Sequence, residues 1–122
     1  MTGPRDARAR GSAVEQLAAR WLGARGLVLE ASNQHAKGGE LDLVMRDGEV
    51  LVFVEVRHRR DARHGHPLET ITPTKQRRLI RAARFYLQRN GLSCACRFDV
   101  LAVTGPDHDL AFEWVANAFE AY

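Results

Sequence analysis

Lysine is nearly missing from this chain. Of 18 basic residues only Lys37 and Lys75 are lysines, and the rest are arginines. Cysteine is almost as scarce. Cys94 and Cys96 stand one residue apart, a spacing that suits neither a disulfide framework nor a four-ligand zinc site. Two reduced structural thiols imply a cytoplasmic protein. No apolar run is long enough to span a bilayer, and none follows Arg5, Arg8 and Arg10 to make a signal peptide. The sequence therefore implies neither export nor a membrane partner. Repeats, low-complexity tracts, a nucleotide-binding glycine loop, a nucleophilic serine motif and a haem or flavin signature are also missing. The five histidines form no metal-ligand pattern.

What is present is an ordinary globular composition, 122 residues with 45% hydrophobic and 27% charged. That suffices for one domain with a real core. Residues 1–10 read as a flexible tail and 11–122 as a single domain. The net charge is +3, but its distribution says more. Arg57, Arg59, Arg60 and Arg63, then Lys75, Arg77, Arg78, Arg81, Arg84 and Arg89, hold most of the positive charge. Such clustering suits a polyanion partner, and charge alone equally allows a solvated surface.

Ser12 starts a helical pattern in Val14, Leu17, Ala18, Trp21 and Leu22, and Gly26 stands where a glycine cap belongs. Ser12-x-x-Glu15 also reads as a capping box. Leu27–Ala31 is fit for a strand. Two alternating runs, 40–45 and 50–57, flank Asp47-Gly48, a strong hairpin signal. Thr72-Pro73 opens a second helix as N-cap and first helical residue, and Gly91 closes it. Arg97–Val103 and Leu110–Val115 are the last strands. The order is α-β-β-β-α-β-β, an α/β fold with a mixed sheet.

With Asp47-Gly48 as the turn, Arg46 opposes Glu49 and Phe53 opposes Asp42. One face then carries Leu41, Leu43, Met45, Val50, Val52, Val54 and Val56 as core. The other carries Val44, Leu51 and Phe53, with Glu40, Asp42, Glu55 and Arg57 gathered at one end. Asp42 and Glu55 become diagonal neighbours with backbones about 7–8 Å apart. Two carboxylates so placed can converge on Mg²⁺ or Mn²⁺; a plain ion-pair network is the competing reading. Gly38-Gly39 just before them lets another backbone approach.

These residues resemble the YraN family of small bacterial proteins. The resemblance rests on GGELDLV at 38–44, LVFVEVRHR at 51–59, the helix bearing Glu15, KQRRL at 75–79, RFDVLAV at 97–103 and Asn117-Ala118-Phe119. That family is similar in pattern to the restriction-endonuclease-like superfamily, which includes archaeal Holliday-junction resolvases. The resemblance implies a mixed β-sheet flanked by helices and a metal-dependent endonuclease acting on DNA, including branched DNA. It implies that Asp42 and Glu55 hold the metal and that Glu15 joins them. Where the superfamily places lysine this chain has Arg57, which can hold a phosphate but is a poor proton acceptor. Lys75 is a candidate replacement amine.

The resulting expectation is a Mg²⁺- or Mn²⁺-dependent nuclease with Asp42, Glu55, Glu15 and Arg57 at its centre. Arg59, Arg60, Lys75, Arg77, Arg81 and Arg84 would meet nucleic acid, DNA before RNA. The alternatives are a non-catalytic nucleic-acid-binding module that lost the lysine, and a protein-interaction domain whose basic helix docks an acidic partner. Many nucleases of the superfamily act as homodimers because two strands must be cut, but no interface is legible here.

Overall fold

A computed structural model describes residues 4–36, 38–60, 71–106 and 108–120. Its elements run α1 (Pro4–Gly23), β1 (Val28–Ala36), β2 (Gly39–Asp47), β3 (Val50–Arg59), α2 (Pro73–Arg89), β4 (Cys96–Thr104) and β5 (Ala111–Phe119). The expected element order is therefore observed. The five strands form one sheet in sequential order. Only β3 and β4 pair in parallel; β1–β2, β2–β3 and β4–β5 are antiparallel. A parallel neighbour needs a crossover connection, and α2 supplies it.

Both helices end as their glycines imply. Leu27 N–H donates to Leu22 O and Gly26 N–H to Gly23 O, with Gly26 at φ 103°. Leu92, Leu87, Gly91 and Gln88 repeat the arrangement after α2, with Gly91 at φ 62°. These are Schellman caps, which need a left-handed residue that glycine adopts without steric cost. Thr72 caps α2, its side chain accepting from Lys75 N–H at 3.2 Å, with Pro73 at the first turn.

α1 begins at Pro4, not at Ser12. Proline suits a first helical position, and the alanines and arginines that follow favour helix. Ser12 thus lies inside the helix, so it is not an N-cap and Glu15 has no capping box to complete.

The two helices cover opposite faces of the sheet. Val14, Ala18 and Leu22 of α1 pack on Leu43, Met45, Val52, Val54, Leu101 and Val103. Leu79, Ile80, Ala82, Ala83 and Tyr86 of α2 pack on Leu41, Val44, Leu51, Phe53 and Phe98. The second face of the hairpin is therefore core as well, because the crossover helix lies across it. Fully burying one such leucine or phenylalanine contributes about 1.5–3 kcal/mol.

The hairpin register differs from the sequence expectation by two residues. Asp47 pairs with Val50, Met45 with Val52 and Leu43 with Val54, so the loop is Gly48-Glu49. Gly48 supplies the positive φ of 61° that the first position of such a loop asks of a glycine. A two-residue shift keeps every side chain on its expected face, whereas a one-residue slip would invert them all. Continued by one step, the register sets Asp42 directly opposite Glu55 rather than diagonal to it.

Leu41 is the exception to the face assignment, packing on the α2 side while Leu43 packs on the α1 side. Strict alternation fails at Asp42 between them. Its Oδ2 accepts the Val56 amide at 2.9 Å, and the backbone pairing of β2 with β3 stops at Leu43 and Val54. The carboxylate takes the place of a ladder carbonyl, and the strand is free to turn there.

Candidate active site

Three carboxyl groups meet at the end of the sheet where β2 begins, each delivered by a different element. Asp42 comes from β2 and is fixed by the Val56 amide. Glu55 comes from β3 and is buried, 6% exposed. Glu15 reaches in from α1. Asp42 lies close enough to both glutamates for its charge to act on each. Burial and the crowding of like charges both favour the neutral carboxyl, so Glu15 and Glu55 hold their protons more tightly than acids in water do.

The electrostatics follow from that crowding. Burial, then the Asp42 charge and hydrogen bond, push the Glu55 carboxyl up to about 8, against smaller opposing effects from Lys75 and Arg57. Burial and Asp42 likewise push Glu15 up to about 7; a hydrogen bond from Asn33 opposes this and the Glu40 charge adds to it. Positive charge is close but does not cancel the cluster. Lys75 Nζ lies 3.3 Å from Glu55 Oε2, and Arg57 Nε lies 3.6 Å from the same oxygen.

These shifts fix the sign of one pH dependence. A carboxyl whose pKa is raised on folding binds a proton in the native state that the unfolded chain has released. Its contribution to stability is therefore lost as pH rises from about 4.5 through the native value. For Glu55 that window ends near pH 8 and for Glu15 near pH 7. Without divalent ions the protein should lose on the order of 3 kcal/mol of stability between pH 5.5 and 8.5, most of it at Glu55. Urea titrations across that range would show it, and a midpoint rising with pH would contradict the upward shifts at Glu15 and Glu55.

Two of the remaining contributors are placed by backbone features. Lys75 sits on the first turn of α2, oriented by the Thr72 cap. The start of β2 makes room for that helix. A Cβ on Gly39 would press on the Arg78 carbonyl at 3.2 Å, and one on Gly38 would collide with Arg81 Cδ. The Gly-Gly pair thus admits α2, as its sequence suggests. Asn33, which the sequence reading missed, adopts a left-handed φ of 50° in β1, and its side chain opposes the rise at Glu15. Its signal was an asparagine in a strand, where that residue is uncommon.

The structure brings together Glu15, Asp42, Glu55, Arg57 and Lys75. Arg59 and Arg60 follow at the end of β3. Arg77, Arg81 and Arg84 are exposed along α2. Arg63 and the His64-Gly65-His66 run lie outside the described residues. Cys94 and Cys96 are free thiols, and no helix among the described residues is long and apolar enough to cross a membrane.

The donor set is all oxygen, which suits a hard divalent cation. Among the described residues no three His, Cys, Asp or Glu groups already stand as a metal cage, and burial and crowding favour protons on Glu15 and Glu55. A cation entering between them would replace those protons, and Glu15, Asp42 and Glu55 are the residues that would hold it.

Residues 14–103, which include all five of these side chains, match the family profile described as Uncharacterised protein family UPF0102. The chain belongs to UPF0102. A UPF0102 protein of Chromohalobacter salexigens is 66% identical over 117 residues, 96% of this chain and 95% of its own. One from Klebsiella pneumoniae is 50% identical over 89% of this chain and 84% of its own. Another, from Nitrosococcus oceani, is 48% identical over 95% of each. UPF0102 is the family expected from the motifs at 38–44 and 51–59, and its matched span includes both.

Proposed function

We propose that this UPF0102 protein is a metal-dependent endonuclease acting on DNA. The observation that carries the reading is the convergence of Glu15, Asp42 and Glu55, from three elements, beside Lys75 and Arg57. Crowded acids that retain protons near neutrality are costly to keep, and such costs concentrate at functional sites. Ser12 lies inside α1, so a capping box does not account for Glu15.

Asp42, Glu55 and Glu15 would hold Mg²⁺ or Mn²⁺, which when bound activates water and screens charge on a phosphodiester. Arg57 lies at the usual lysine position and has the planar donor fork that grips a phosphate. Lys75 supplies the amine that Arg57 cannot be. It approaches the same Glu55 oxygen from α2, on a helix terminus where a cation is disfavoured by the dipole. A residue placed against its own helix has its reason elsewhere. The arginine at position 57 favours one second reading, a binding module on the same scaffold that does not cut.

The deciding experiment incubates the purified protein with labelled duplex, branched and single-stranded DNA, with Mg²⁺, Mn²⁺ or a chelator. Cleavage with metal and none with chelator is the expected result. Binding without cleavage under every metal condition would reject the nuclease and leave the module.

A further inference from the structure

Helix α2 contains no acidic residue. Its charges are Lys75, Arg77, Arg78, Arg81, Arg84 and Arg89. A helix face that exists only for solubility normally mixes signs and forms pairs at spacings of three and four. Within the helix Arg77, Arg81 and Arg84 fall at those spacings with like charge, costing roughly 0.2–0.5 kcal/mol for each like pair. With Pro73, Gln76 and Ile80 they line one groove of about 430 Å³. The groove includes Pro73, two residues before Lys75, whose ammonium lies 3.3 Å from Glu55. Gly38, lacking a Cβ, leaves room for the Arg81 side chain against the start of β2.

We propose that Arg77, Arg81 and Arg84 form a rail holding one nucleic-acid strand by about three successive phosphates on one side of the acidic centre. Seven residues of helix advance about 10 Å, and the long arginine side chains add reach along and across that line, so three guanidinium groups can meet neighbouring phosphates of one strand. Arginine is the side chain whose fork matches phosphate oxygens. The position of this groove next to the Lys75 end of the acidic centre favours a nucleic-acid strand over an acidic peptide. The inference deepens the nuclease reading but rests on its nucleic-acid half alone, since a strand can be held without being cut.

The test measures binding in the presence of a chelator, so cleavage plays no part. Fluorescence anisotropy would follow a labelled single-stranded oligonucleotide of about a dozen nucleotides through a salt titration. Replacing all three arginines by alanine should flatten the slope of log K against log salt by about 2 and weaken low-salt binding at least about tenfold. Arg20→Ala with Arg25→Ala, on α1 and in the turn that follows it, should leave the slope intact. A lysine version of the triple variant keeps the charge and should keep the slope.

An unchanged slope in the alanine variant overturns the rail. So does an equal loss in the α1 variant, which would reduce the effect to net charge. Competition by polyglutamate as effective as by the oligonucleotide would overturn it too, in favour of an acidic protein. Failure of DNA cleavage in the metal assay would reject the nuclease while leaving the rail standing.

Discussion

Replacing Asp42 by asparagine should lower metal-dependent DNA cleavage by more than about a hundredfold, beyond what loss of an outer-shell partner of a metal typically costs. The same change should make the protein more stable. Asparagine is isosteric and keeps an oxygen for the Val56 amide, so the bend in β2 is retained. What disappears is the negative charge that helps hold Glu15 and Glu55 above their ordinary range. With that charge gone both glutamates ionise more easily in the folded state, and the stability lost toward pH 8 is partly restored. The gain should be about 1–2 kcal/mol at pH 8 and smaller at pH 5.5. Cleavage assays and urea midpoints on one preparation check both halves. An ion-pair network kept for structure predicts the reverse sign in stability, so a destabilised Asp42→Asn protein would count against a functional centre.

Asp99→Ala should be the most damaging single change to the fold. Asp99 is completely buried on β4, and both its oxygens are engaged. Oδ1 accepts from Arg97 Nε at 3.0 Å and the Asn117 amide at 2.9 Å; Oδ2 accepts from Trp114 Nε1 at 2.9 Å and from Arg97. The Asn117 amide belongs to a residue at φ 53°, close to where the β4–β5 register shifts. The carboxylate therefore pins the irregular part of the edge strand. Alanine would leave an indole N–H and a backbone amide without their acceptor, and among the described residues would leave Arg97 with Asp47 alone. Breaking a buried pair in this way costs about 3–5 kcal/mol, a large share of an ordinary domain's stability. Asp99→Asn retains one acceptor and should lose less. Denaturant unfolding measures both, and a loss below about 1 kcal/mol for alanine would show that the network is not what holds β5.

Much of the acidic centre was legible in the sequence because strands alternate. Alternation placed Asp42 and Glu55 on one face, and it does so for any register shift of an even number. The sequence could not choose between Asp47-Gly48 and Gly48-Glu49 as the loop, since each contains the glycine that the turn requires. That choice sets whether the acids are diagonal or opposed. Leu41 defeated the alternation rule, because the Asp42 side chain replaces a backbone bond that the rule takes for granted.

Glu15 and Lys75 show the other limit. Both stand far from the hairpin in sequence, and each had a local description that sufficed, a capping residue and one more cation on a basic helix. Local rules see only neighbours along the chain. Chain order, helix and strand types, the glycine caps and the sign of charge on α2 were determined by the sequence itself, through short-range sterics and periodicity. Tertiary packing decided that α1 and α2 cover opposite faces of one sheet and bring a glutamate and a lysine to the same end of it. It also decided that burial there holds protons on carboxyls that water would strip. A pKa depends on what surrounds a group in space, and only the packed chain supplies those surroundings.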